Sequence, residues 1–301
     1  MNLTILGSQG AIPKINKFSS SHLLDICNTN ILIDCGEGTQ FQLKRNKIKL
    51  SKIEIILISH AHGDHYFGLI GLIATLSLLK REKKLKIYCP TSVLKIIQAH
   101  IKFSKLNLSY DLQLIGLNSQ NSENIYENLL FTIYTIPLKH SIYTNGFLIK
   151  EKTKKRKLIL YKAVKNNINK IYFNKLTKGV NVKNEEGVEI DYRDVTEKGA
   201  NPKSYAYCSD TCFSENIVSL IKNVDLLYCE SSFLERDRQK AVSTFHSTAK
   251  DAAKLALKAN VGKLLIGHFS SRYDDYQEFL NESKEVFENV ELSEEGKKID
   301  F

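Results

Sequence analysis

Apolar residues in the first half of the chain fall in short unbroken runs: Leu3–Leu6, Leu23–Ile26, Ile31–Asp34, Ile53–Ile58 and Lys86–Cys89. Runs of this length, rich in isoleucine and leucine and bounded by polar residues, read as strands. Between them the pattern becomes helical, over Phe67–Leu79 and Thr91–Ile101. Further on, Phe131–Ile136, Phe147–Ile149, Ser204–Cys208, Leu226–Cys229 and Lys263–Ile266 read again as strands. Lys250–Ala259 and Tyr276–Phe287 read as helices, with Thr248 placed to cap the first. Strands and helices mix throughout without strict βαβ repetition, and no internal repeat of fixed period is found. The pattern predicts an α/β (α+β) protein with sheets packed inside helical layers.

One stretch breaks the pattern. From about Lys150 to Lys203 the chain is polar, with few periodic apolar residues and glycines at 179, 187 and 199. It reads as an inserted arm leaving a core that otherwise forms one domain over residues 1–301. The arm opens with Lys150-Glu151-Lys152-Thr153-Lys154-Lys155-Arg156-Lys157. That cluster gives meaning to a formal net charge of +10, which alone says only that a polyanion would be attracted. Lys152, Lys154, Lys155, Arg156 and Lys157 are therefore the candidate phosphate contacts.

The composition, 43% hydrophobic and 25% charged, is that of a globular protein. No run of about eighteen apolar residues is present, so no membrane-spanning helix is expected. The first residues read as a strand and not as an export signal. Six cysteines without C-x-x-C spacing are expected to be reduced, buried thiols of a cytoplasmic protein.

The chemistry concentrates in Ser59-His60-Ala61-His62-Gly63-Asp64-His65, directly after an apolar strand. Imidazole nitrogens with a carboxylate suit zinc or a similar ion. In extended backbone, His60 and His62 face the same way and can share one ion. Asp64 and His65 follow as the chain turns and point to a second. Two ions need more ligands than one motif supplies. His140, Asp210 and His268 each lie just past the end of an apolar strand, where sites are commonly built. His246 opens a helix and could donate a proton to the site or merely cap that helix. His100 reads as a surface residue, and His22 has no supporting context.

These motifs resemble the metallo-β-lactamase fold and, within it, the ribonuclease Z family of tRNA 3′-processing endonucleases. The resemblance runs from residue 3 to about 275. It is carried by Asp34-Cys35-Gly36-Glu37-Gly38-Thr39-Gln40, by the 59–69 segment, by Cys208-Ser209-Asp210-Thr211, by His246-Ser247-Thr248-Ala249 and by Gly267-His268-Phe269-Ser270-Ser271-Arg272-Tyr273. It implies an αββα sandwich with an inserted exosite arm over about 150–203 that clasps tRNA. It implies two Zn²⁺ per subunit: one on His60, His62 and His140, the other on Asp64, His65 and His268, with Asp210 bridging. Asp64 would accept the proton of the attacking water, and His246, with Glu230 as a possible partner, would protonate the departing 3′-oxygen. It further implies a cytoplasmic homodimer acting on precursor tRNA. Two departures are visible. The arm has no proline between Lys150 and Asn201, and the loop Gly10–Phe18 carries Ile15 and Phe18 where the family commonly has lysine and asparagine. The cleavage position relative to CCA stays open. The competing expectations are another hydrolase of the same fold, acting on a thioester, a lactam or a small phosphodiester, and a nucleic-acid-binding protein with an inactive site.

Overall fold

Each apolar run becomes a strand. In the computed structural model, which describes residues 1–301, the chain opens with β1 (Asn2–Gly7), β2 (Ser21–Ile26) and β3 (Thr29–Ile33). Next come α1 (Thr39–Arg45), β4 (Ile53–Leu57), α2 (Gly63–Leu78), β5 (Leu85–Pro90), α3 (Thr91–Phe103) and β6 (Leu112–Leu117). β7 (Asn124–Glu127), β8 (Phe131–Pro137) and β9 (Asn145–Glu151) begin a second sheet. After an excursion of about fifty residues, the sheet resumes with β14 (Ser204–Cys208) and β15 (Leu226–Glu230). The remaining elements are α7 (Arg238–Ser243), α8 (Ala249–Ala259), β16 (Lys263–Gly267), α9 (Gln277–Lys284), β17 (Val290–Leu292) and β18 (Lys298–Asp300).

The strands form two seven-stranded sheets, in the orders β18-β1-β2-β3-β4-β5-β6 and β17-β16-β15-β14-β9-β8-β7. β3 through β6 are parallel, as are β14 through β17. Their near-continuous apolar runs follow from burial on both faces. Outside the first sheet, Leu69, Leu72, Ile73 and Leu76 of α2 and Val93 and Ile97 of α3 pack on Leu32, Ile56 and Ile87. Outside the second, the alanine face of α8 and Phe279 of α9 cover Ala206, Leu227 and Leu264. The inner faces meet through rarer residues. His22 Nδ1 lies 2.8 Å from the Tyr205 hydroxyl, and its ring meets those of Tyr207 and Tyr228 edge-on across the seam. The layering is thus helix, sheet, sheet, helix.

Helix ends show where local signals were read well and where they were not. Thr248 caps α8 through a full capping box with Asp251, and Asn260 ends it in the left-handed conformation. α2, in contrast, starts at Gly63, four residues before its apolar pattern begins. Its first turn is polar because it carries Asp64 and His65. His22, without context in the sequence, is completely buried, and burial lowers its pKa to about 3. Four of the six cysteines are buried, whereas Cys27 and Cys212 are partly exposed, and none is disulfide-bonded.

The chain separates into two compact units: residues 1–127, 132–149 and 203–301, and a smaller one of residues 128–131 and 150–202. The smaller unit contains two short ladders, β10 (Lys157–Leu158) with β13 (Thr196–Glu197), and β11 (Val182–Lys183) with β12 (Glu189–Ile190). With α4 (Leu160–Lys165), α5 (Phe173–Thr177) and α6 (Tyr192–Val195) they enclose Ala163, Ile168, Leu176, Val182 and Val195. The segment therefore has a core of its own, which its lack of periodicity had hidden. Within it Lys154, Lys155 and Lys157 are exposed and Lys152 is partly buried. Arg156 is turned onto its own unit. It donates to Thr196 Oγ1 at 2.6 Å and lies 4.8 Å from the centre of the Tyr192 ring.

Candidate metal centre

The parallel strands of both sheets bring their carboxyl ends to one place, the position at which α/β proteins build their sites. After β4 the chain bends at Ala61 and His62, and His62, with φ of −76° and ψ of 144°, is the residue before α2. His60 and His62 thus lie in the short turn between strand and helix, and Asp64 and His65 in the first helical turn, where a carboxylate is favoured by the helix dipole. His140 follows β8, Asp210 follows β14 and His268 follows β16. All seven residues come together.

Their donor atoms form two groups, each with every atom within 4.8 Å of the others: His60, His62, His140 and Asp210; and Asp64, His65 and His268. In the first, His62 Nδ1 lies 3.1 Å from His60 Nε2 and 3.3 Å from His140 Nε2. In the second, His65 Nε2 lies 3.4 Å from His268 Nε2, and Asp64 Oδ2 is 3.4 and 3.3 Å from those nitrogens. Asp210 serves both. Its Oδ2 is 3.6 Å from His60, and its Oδ1 is 3.4 and 3.3 Å from His65 and His268. That Oδ1 is buried without a hydrogen-bond partner. Two ligands on a tetrahedral ion at about 2.1 Å stand roughly 3.4 Å apart, so these spacings fit divalent cations.

Hydrogen bonds fix the rings. His60 Nδ1 faces Ser59 Oγ at 2.9 Å, His65 Nδ1 faces Asp34 Oδ2 at 2.7 Å, and His268 Nδ1 faces Ser232 Oγ at 2.8 Å. His140 Nδ1 donates to the Phe245 carbonyl at 2.9 Å. Each of these four therefore turns Nε2 towards the cluster. Asp34 is the hub of this support. It also accepts from Ser59 N at 2.8 Å, Ser59 Oγ at 2.9 Å and the Tyr207 hydroxyl at 2.7 Å. Its φ of 55° bends the chain out of β3, and Gly36 beyond it passes so close to α2 that a Cβ would sit 2.2 Å from the Asp64 carbonyl oxygen. This close approach explains the first two glycines needed between strand and helix, Gly36 and, one turn along α2, Gly68. Asp34 stood in the sequence motif without an assigned role. Ser232, Tyr207 and the Phe245 carbonyl gave no sequence signal.

The two groups differ electrically. Burial lowers the pKa values of His60, His62 and His140, which keeps them neutral with lone pairs to offer. Burial also opposes charge on His65, yet Asp64, Asp210 and Asp34 hold its pKa well above the usual imidazole value. For Asp64 and Asp210 burial likewise opposes ionisation, but the surrounding histidines keep both carboxyls well below the usual range. Carboxylates draw positive charge into this half of the cluster.

His246 lies beside it, its ring centre 5.1 Å from that of His140 and 5.5 Å from that of His268. With Asp210 and His268 it forms a further possible donor trio. Its Nδ1 is committed to Glu230 Oε1, 2.8 Å away. Glu230, wholly buried, is held by the backbone N–H groups of Thr211, Ser232 and Ser247. Burial opposes the charge on His246, but the Glu230 carboxylate prevails and raises its pKa to about 9. A cavity of 510 Å³ opens over His62, Asp64, Asp210, His246 and His268, walled by Phe233 and Arg272.

A sandwich of two mixed sheets between helices, with a histidine–aspartate cluster at the strand ends, defines a metallo-β-lactamase-fold hydrolase. The fold matches human tRNase Z, short form, with a TM-score of 0.72 and 24% identity over 100% of this chain and 99% of that one. It also matches the metallo-β-lactamase-fold protein YhfI from Bacillus subtilis, with a TM-score of 0.70 and 20% identity over 99% of each chain. A family model described as Anti-Pycsar protein Apyc1 matches residues 1–153, the half that carries the 59–65 motif and His140. Over almost the whole length, a Cytophaga hutchinsonii protein named ribonuclease Z is 43% identical, covering 98% of this chain and 94% of its own. The chain belongs to the ribonuclease Z family, and so to the endoribonucleases of the metallo-β-lactamase superfamily.

Proposed function

We propose that this chain removes the 3′ trailer from precursor tRNA, leaving a 3′-hydroxyl on the tRNA and a 5′-phosphate on the trailer. The reading is carried by one juxtaposition: a histidine–aspartate cluster fit for two cations, with the His246–Glu230 pair set against its edge. We assign the cations as two Zn²⁺, one on His60, His62 and His140, the other on Asp64, His65 and His268, with Asp210 shared. When bound, such a pair lowers the pKa of a water and neutralises charge on the phosphate oxygens.

The residues do the remainder. Asp64 takes the proton of the attacking water. As the P–O3′ bond breaks, His246 gives its proton from Nε2 to the departing 3′-oxygen, and Glu230 keeps Nδ1 occupied and the ring charged until then. Such general-acid help is worth about 10²–10⁴ in rate. Phosphate binding falls to the smaller unit as exosite arm, which holds fourteen Lys and Arg against seven Asp and Glu, a net +7 of the chain's +10. Lys154, Lys155 and Lys157 present free cations there, with Lys152 beside them. Arg156 has the weakest claim, being bonded to Thr196. No helix is long and apolar enough to cross a membrane. We place the enzyme in the cytoplasm as a homodimer. An exposed apolar recess of Pro13, Phe18 and Phe41, with Ile15 93% exposed in the same loop, supports self-association.

The test is cleavage of precursor tRNAs with and without encoded CCA, with the 3′ ends mapped. Release of an intact trailer with a 5′-phosphate is expected. Intact precursor under conditions where bis(p-nitrophenyl) phosphate is hydrolysed would sink the proposal and favour a small-phosphodiester hydrolase.

A further inference from the structure

A second cavity of the larger unit borders the cluster without containing His246. It measures 670 Å³, within the range of nucleotide-sized sites, and reaches the metal cluster only at His140. Its floor is apolar, formed by Leu138, Ile217 and Leu220, and its rim is polar, with the amides of Asn121 and Asn216 and the ammonium of Lys139. No carboxylate lines it. The side chains of Asn121 and Asn216 are unbonded, and Lys139 makes no ion pair; Lys139 is held in place by its backbone, bonded to Thr211 Oγ1 and Cys212 N. An apolar floor suits the face of a base, amides suit base edges and sugar hydroxyls, and a lone cation suits a phosphate.

Its position sets the polarity. If His246 protonates the 3′-oxygen, the tRNA body lies on the His246 side, in the 510 Å³ cavity walled by Phe233 and Arg272. The trailer keeps the phosphorus and must leave the cluster another way. His140 lines the larger space and turns Nε2 towards His62, which lines the smaller one. We infer that the 670 Å³ cavity seats the first nucleotide of the trailer, a 5′-phosphorylated ribonucleotide. The inference rests on the cleavage reading above and adds a subsite to it.

The experiment is product inhibition of the full-length enzyme carrying Asn121→Asp and Asn216→Asp, which replace the amide donors to base and sugar with carboxylates that only accept and put negative charge beside a polyanionic ligand. The inhibitors are a 5′-phosphorylated trinucleotide, matching the trailer, and mature tRNA ending in a 3′-hydroxyl, matching the body. The variant should lose at least about tenfold in affinity for the trinucleotide. Its inhibition by mature tRNA and its turnover of bis(p-nitrophenyl) phosphate should match wild type. Unchanged trinucleotide inhibition, or an equal loss for both inhibitors, overturns the subsite. If the charged pair also costs turnover of the small diester, Asn121→Ala with Asn216→Ala is read by the same criteria. A wild-type enzyme that leaves precursor tRNA uncut removes the cleavage reading and the subsite together. One that cuts it while the variants behave as wild type removes the subsite alone.

Discussion

Asp34 touches no candidate ligand atom that faces the cluster, yet four groups converge on its carboxylate: Ser59 N, Ser59 Oγ, Tyr207 and His65 Nδ1. Asp34→Asn keeps the size and removes the charge. Metal affinity should fall by about 10–100-fold, as read by chelator competition; an unchanged affinity would mean Asp34 only shapes the backbone. Glu230 acts on His246 in the same indirect way. A proton donor works below its pKa, and His246 keeps its proton up to about 9 because of Glu230. Glu230→Gln removes the raising charge, so the alkaline limb of kcat/KM against pH should move to lower pH. A limb that stays put would exclude the pairing from catalysis. At this scale the sequence was legible where spacing is local. His60 to His65 sit together, and His140, Asp210 and His268 each follow a recognisable strand. Asp34 and Tyr207 were not legible as a pair, because 173 positions separate two residues whose contact depends on the facing of two sheets.

Among elements, every expected strand is present, but the edge strands β6, β7, β17 and β18 had no apolar run that marked them, and α2 begins with four residues chosen for chemistry and not for packing. The smaller unit shows the opposite failure. Its helices have four to six residues, too short to display a period, so its buried Ala163, Leu176 and Val195 looked like scattered apolar residues in a polar arm. The segment leaves the second sheet at β9 and returns at β14, neighbours in that sheet. Its removal thus asks a short linker to join adjacent strands. Deleting Lys150–Lys203 with such a linker should weaken tRNA binding severely and spare hydrolysis of a small phosphodiester. Equal losses on both substrates would show that the unit is needed for the fold of the rest.

On the scale of the whole molecule, charge is unevenly shared, with seven of ten net positive charges in 57 residues of the smaller unit. Binding that rests on phosphate contacts releases counterions. KM for precursor tRNA should therefore rise steeply between about 50 and 200 mM salt. Turnover of bis(p-nitrophenyl) phosphate should hardly change over that range, and parallel salt curves would deny the basic unit its role.

The two sheets each supply part of the cluster: His60, His62, Asp64 and His65 follow a strand of the first, while His140, Asp210 and His268 follow strands of the second. A cation held by this set is also a rivet across the seam of the sandwich, and what binds only the folded state stabilises it. Stripping the metal with a chelator should therefore lower the melting temperature and open the seam to proteases, both reversed by adding zinc. For such a protein, metal supply would govern how long the molecule survives as well as how fast it works.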